Sequence, residues 1–216
     1  MTRRRIGPLL VWLLALPLLG ACGEPLLSLK PGVRAFTPED YEAVYEKWTR
    51  SADAFAFGQM RTVLHVTATF QSWEFRWAYV VRYARDMHIE PELRENLLRA
   101  SLADAREHHR FFVTLAGERF EESDLTGEQP AWRVLLVDED GRVTEPTHVE
   151  RIRKPGPAER AYYPSVTPFR QAFRLAFPVR RDDGTPTIAP DARRVVLRFT
   201  GPLGRVDLVW RLRPER

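Results

Sequence analysis

At 216 residues, 44% hydrophobic and 11% aromatic, the chain carries enough apolar material for one compact core and is too apolar for a disordered polyelectrolyte. A single cysteine excludes an internal disulfide framework. The formal charge of +4 falls to +1 without Arg3, Arg4 and Arg5, so the basic balance does not imply the large positive field that nucleic-acid phosphates need.

Those three arginines open a recognisable segment. They precede an apolar block, Ile6–Leu19, and then the small pair Gly20-Ala21. A charged start, a short apolar run and a small-residue exit make a secretory signal peptide over residues 1–21. The block is shorter than the roughly 20 apolar residues a bilayer span requires. Leu19-Gly20-Ala21-Cys22 resembles a bacterial lipobox. The resemblance implies cleavage between Ala21 and Cys22, a diacylglyceryl thioether on the Cys22 sulfur, and a membrane partner reached through that lipid. By the same resemblance, Gly23 in place of an aspartate implies the outer membrane of a two-membraned bacterium, with the domain facing the periplasm.

Residues 22–36 then form a tether, about 50 Å at most if its 14 residues after Cys22 are extended. Leu26, Leu27, Leu29, Val33 and Phe36 are too apolar for a solvated linker, so part of it is expected to pack on the domain. Residues 37–216 read as one α+β domain. Thr37-Pro38-Glu39-Asp40 starts a helix over 38–51, with Tyr41, Val44, Tyr45 and Trp48 on one face. The β-branched stretch Arg61–Gln71 reads as a strand. Ser72 caps a helix over 73–87, with Trp73, Trp77, Val80, Val81 and Ala84 inward. Pro91 opens another over 91–108, with Leu93, Leu97, Leu98, Leu102 and Ala105 as its buried stripe. The short link His88–Glu90 makes these two an antiparallel hairpin.

From Arg110 the period changes to two. Phe111–Leu115, Trp132–Val137, Arg142–Arg153, Phe169–Val179, Arg193–Thr200 and Val206–Leu212 read as strands, with tight turns at 138–141 and 201–204. With 61–71 they make about seven, enough for two sheets packed face to face. The run Phe173–Pro178 and the hairpin ending at Trp210 are similar to those of uncharacterised bacterial envelope lipoproteins. The expected architecture is an immunoglobulin-like antiparallel β-sandwich with an N-terminal helix and an inserted helical hairpin.

Candidate sites are few. His108-His109, with His65, His88 or His148, invites a metal reading, but adjacent helical residues point about 100° apart and no H-x-x-x-H pair exists, so neither metal nor cofactor is expected. Asp138–Gly141 and Asp182–Gly184 are turn signals, and no G-x-S-x-G surrounds a serine. Glu118, Glu121, Glu122 and Asp124 could bring two carboxylates together, as a peptidoglycan or glycan hydrolase would need. The loop Pro155–Pro168 holds four prolines and Tyr162-Tyr163, with Arg151, Arg153 and Lys154 upstream. Rigid loops with tyrosine and arginine suit protein contacts; the competing reading packs the tyrosines on a sheet edge. The expected function is a non-enzymatic, lipid-anchored envelope protein that binds or braces another envelope protein without nucleic acid. The alternative is a hydrolase acting through the 118–124 carboxylates.

Overall fold

A computed structural model describes residues 25–56 and 60–214. The signal segment, Ala21 and Cys22 lie outside the described residues. After a 3-10 turn at Pro38–Asp40 come α1 (Tyr41–Trp48), β1 (Thr49–Ala56), β2 (Arg61–Phe70), α2 (Trp73–Asp86), α3 (Pro91–Glu107) and β3 (His108–Gly117). A second 3-10 turn, Phe120–Ser123, leads to β4 (Arg133–Val137), β5 (Val143–Thr144), β6 (His148–Ile152), α4 (Pro157–Tyr162), β7 (Gln171–Pro178), β8 (Arg194–Gly201) and β9 (Gly204–Arg211). The chain is α+β with two antiparallel sheets, ordered β1-β2-β3-β7-β6 and β5-β4-β8-β9. No helix among the described residues is long and apolar enough to cross a membrane.

Strand register decides which side chains share a face. Phe70 lies opposite Phe111 and Ala68 opposite Val113; those two in turn meet Leu175 and Phe173. All point toward the second sheet, where Val195 faces Trp210 and Leu197 faces Leu208. Trp210 closes this core, its ring 5.4 Å from Phe111 and 6.2 Å from Phe70. Its indole N–H donates to the Trp48 carbonyl at 2.9 Å, which satisfies a donor that burial would otherwise strand. The opposite face of the five-stranded sheet, carrying Thr69, Phe112, Ala172 and Arg174, lies under the helices. Cover on both sides leaves Val66–Phe70 of β2 and Phe111–Leu115 of β3 buried without a break, the threonines Thr67, Thr69 and Thr114 included.

Several elements differ from the sequence reading. The first helix ends at Trp48, and residues 49–56, expected to be partly helical, form β1. The Thr49 and Thr69 hydroxyls share a 2.8 Å hydrogen bond, as do Ser51 and Thr67, a cross-strand ladder that local propensity does not reveal. The predicted strand 142–153 is two strands in different sheets, interrupted at Glu145-Pro146-Thr147, where proline offers no N–H to a ladder. Phe169, placed in a strand, is exposed, and β7 starts at Gln171. The described residues hold nine strands rather than about seven. The helical hairpin does sit between β2 and β3, capped by the Ser72 hydroxyl accepting from the Phe75 N–H at 3.2 Å.

The tether is part of the domain. Leu27 is fully buried and forms a parallel bridge to Leu212 at the end of β9. The Trp73 indole N–H then donates to the Gly32 carbonyl at 2.8 Å, so residues 27–32 cross the end of the molecule as a strap.

Candidate functional site

Tyr162 and Tyr163 stand at the centre of the helical layer. Pro157, at the first turn of α4, and Glu159, whose carboxylate accepts from the Gly156 N–H at 2.9 Å, build the short helix that carries them inward. All six tyrosines of the chain gather here, Tyr41 and Tyr45 from α1, Tyr79 and Tyr83 from α2, and this pair from the end of α4. Tyr79 lies 5.2 Å from Tyr162 edge-to-face, and Tyr41 lies 5.7 Å from Tyr162. The Tyr41 hydroxyl donates to the Tyr162 carbonyl at 2.6 Å, and Gln71 Nε2 donates to the Tyr163 hydroxyl at 2.7 Å. Burial disfavours tyrosinate here: it raises Tyr41 and Tyr163 well above the ordinary phenol value and Tyr79 to about 12. Tyr162, also raised to about 12 by burial, donates to Asp86 at 3.0 Å.

This corrects the reading of the 155–168 loop as a tyrosine-bearing contact surface and agrees with the competing one, in which the tyrosines pack on the fold. Tyr162 and Tyr163 are 6% and 5% exposed, so their rings brace the fold and offer no face to a partner. Arg151 is also engaged, 2.6 Å from Asp124 and over the Phe120 ring. Arg153 remains exposed.

Beside the tyrosines lies a cavity of about 160 Å³ lined by Gln71, Arg76, Tyr79, Glu159 and Arg174 among others. Its cations are already neutralised. Arg76, with its side chain 7% exposed, donates to the Gln71 and Ser101 carbonyls at 2.9 and 2.7 Å and to Asp104 at 2.8 Å. Arg110 adds two 2.6 Å bonds to the same carboxylate. Burial pushes the Asp104 carboxyl up, but the two guanidiniums outweigh it and hold the pKa at about 2. Arg174 pairs with Glu159 at 2.6 Å. Saturated in this way, the arginines lock α2, α3, α4 and the sheet together.

The 118–124 carboxylates do not assemble. Glu118 pairs with Arg61 of β2, whereas Asp124 pairs with Arg151 of β6, three strand places away or about 14 Å at ordinary strand spacing. Burial raises the Asp124 carboxyl, but the Thr126 amide and hydroxyl and Arg151 bring it below its usual value, the opposite of a general acid. The histidines are dispersed. His65 pairs with Asp53, His108 lies 3.3 Å from Asp104, and burial lowers His109 to about 4. No group of three potential metal ligands occurs among the described residues.

The surface feature that the sequence reading missed is α3. None of its 17 residues is buried. Leu93 and Leu97, expected to point inward, are 53% and 36% exposed and lie one turn apart, with exposed Met87 on the adjoining turn. The cause is tertiary. α2 sends Phe75 and Ala78 into the core of the domain, while its buried Arg76 faces α3. α3 is then held mainly through its C-terminal half, by Arg76 at Ser101 and Asp104. From Arg106 to Leu93 the helix runs about 20 Å, lifting its leucines away from the strap.

No protein-family model matches the chain, and no curated protein matches it in sequence. Among solved structures, a protein of unknown function from Burkholderia pseudomallei is similar at 12% identity over 83% of this chain and 90% of its own, with a TM-score of 0.38.

Proposed function

We propose that the chain is a lipid-anchored protein of the bacterial envelope, acylated on Cys22 after cleavage behind Ala21, that binds and braces another envelope protein without chemistry of its own. Its domain is an immunoglobulin-like β-sandwich with a helical layer added to one face. The observation that carries the partner is α3, a 17-residue helix without a buried side chain that presents Leu93 and Leu97 to solvent. A partner helix or sheet that covers this ridge returns the apolar area the fold leaves wet. Gly23 supports the outer membrane, facing the periplasm, as the location.

A photoreactive amino acid at position 97, incorporated in cells, tests the contact. One discrete protein adduct is expected at 97, lost with Leu93→Asp and missing from a probe at Asp140 in the β4–β5 turn. The same adduct pattern at both positions would overturn the reading. The anchor is tested separately with Cys22→Ser, which leaves an unprocessed precursor or a soluble species; membrane-bound protein at the normal mature size would refute it.

A further inference from the structure

The chain enters the folded domain beside an arginine-rich edge. The Leu27 N–H donates to the Arg211 carbonyl at 3.0 Å, and the Leu27 carbonyl accepts from the Arg213 N–H at 2.7 Å. Leu27 is thus pinned to the end of β9, with Leu26 half exposed just before it. Only five residue steps separate Cys22 from Leu27, a reach of about 17 Å. Whatever surrounds that entry point lies within this distance of an anchor on Cys22.

The surroundings are mostly basic, with Glu139 accepting from the Arg193 N–H at 2.7 Å. Arg194 and Arg211 lie directly opposite each other across β8 and β9. An open cleft of about 440 Å³ between β1 and β9 is lined by Arg50, Arg194 and Arg211, with Asp207 as its one acid. That acid is already shared, at 2.8 and 2.9 Å with Arg198 and 2.6 Å with Arg205. Arg50 is braced toward the cleft by donating to the Val209 carbonyl at 3.1 Å. Arg193, Arg194 and Arg213 are exposed, and their side chains make no ion pair among the described residues.

Resting on the anchored reading above, we propose that this edge is a docking surface for anionic phospholipid headgroups. The lipid on Cys22 brings the domain to the bilayer, and Arg194 and Arg213 then seat the β8–β9 end on headgroup phosphates. Each basic side chain so placed strengthens surface binding about fivefold, and the attraction fades with salt. The domain is thereby oriented as well as tethered.

The full chain, reconstituted into phosphatidylcholine vesicles with or without phosphatidylglycerol, provides the test through amide hydrogen exchange over residues 193–195 and 209–213. Exchange is expected to slow several-fold with phosphatidylglycerol. Arg194→Glu with Arg213→Glu should remove that dependence, while Arg153→Glu should keep it. Equal exchange in both vesicles, or slowing by inorganic phosphate alone without any lipid dependence, would overturn the proposal. Mass measurement of the N-terminal peptide from the same sample reports whether Cys22 is acylated, so failure of the anchor and failure of the headgroup surface give different results.

Discussion

The rings of Phe112 and Tyr163 lie face to face, 3.8 Å between centroids and 12° from parallel. One belongs to the helix-facing side of β3 and the other to the loop after α4, so this stack joins the sheet to the helical layer. Most of what this contact contributes is the burial of the two rings, with roughly 0.5–1.5 kcal/mol beyond it for an aromatic pair.

Tyr163→Ala is therefore expected to destabilise the domain by about 3–5 kcal/mol, through lost burial and the cavity left behind. Tyr163→Phe keeps the stack and removes only the acceptor of Gln71, at a cost of about 1 kcal/mol. Denaturant unfolding of the two variants measures both numbers. Equal stability of Tyr163→Ala and wild type would refute the bracing role.

The tyrosine cluster also predicts alkaline unfolding. Tyr79 and Tyr162 have folded values near 12, against 10.0 for a free phenol. Above pH 10 the unfolded chain releases these protons while the folded one retains them, so their contribution is complete below about 10 and declines as pH rises to about 12. Stability followed by denaturant melts alongside tyrosinate absorbance should fall over that window. A flat profile would show that the phenols ionise as easily folded as unfolded.

Asp104 predicts the opposite limb. Its carboxyl titrates near 2 in the fold and at 3.8 when free, so stability is full above about 4 and is lost as pH falls toward 2. Asp104→Ala leaves the Arg76 guanidinium buried without a carboxylate. Because Asp104 itself is partly solvated, the cost is discounted to about 2–3 kcal/mol at neutral pH. The same substitution should flatten the acid limb, and an unchanged acid midpoint in the variant would show that another carboxylate controls it.

A backbone test comes from Gly201, at the end of β8. A Cβ at this position would run into the Ala131 carbonyl oxygen, a main-chain atom that cannot swing aside. Gly201→Ala should destabilise by about 2 kcal/mol or more as the strand end shifts. Gly127, where a Cβ would meet nothing within 4 Å, is the matched control and should accept alanine at little cost. Thermal melts of the pair decide the matter, and equal midpoints would sink the close-approach explanation.

Much of the frame was legible from local signals. Ser72 and Pro91 mark the starts of α2 and α3, and the glycines of the 138–141 and 201–204 turns supply the positive φ that Gly141 and Gly204 adopt. The alternation of Val195, Leu197 and Phe199 against Val206, Leu208 and Trp210 predicted the β8–β9 hairpin and its inward face. These signals act between residues a few positions apart, so periodicity and capping reveal them.

What the chain could not reveal depends on which distant surfaces meet. β1 is small and polar, and its strand state rests on hydroxyl pairs to β2 and on the Trp48–Trp210 contact 162 residues away in sequence. The leucines of α3 have the spacing of a buried stripe, yet burial requires a second surface, and α2 meets α3 through Arg76 at Ser101 and Asp104 without burying any side chain of α3. Tyr162 and Tyr163 sit in a proline-rich loop that allowed either a contact surface or packing on the fold, and α4 carries them beneath Tyr41 and Tyr79. Sequence alone determined α2, α3, most of the strands and the lipobox resemblance, because these are written in neighbouring residues. The tertiary structure decided which apolar side chains are covered and which are offered to solvent, because burial belongs to pairs of surfaces and not to any one segment.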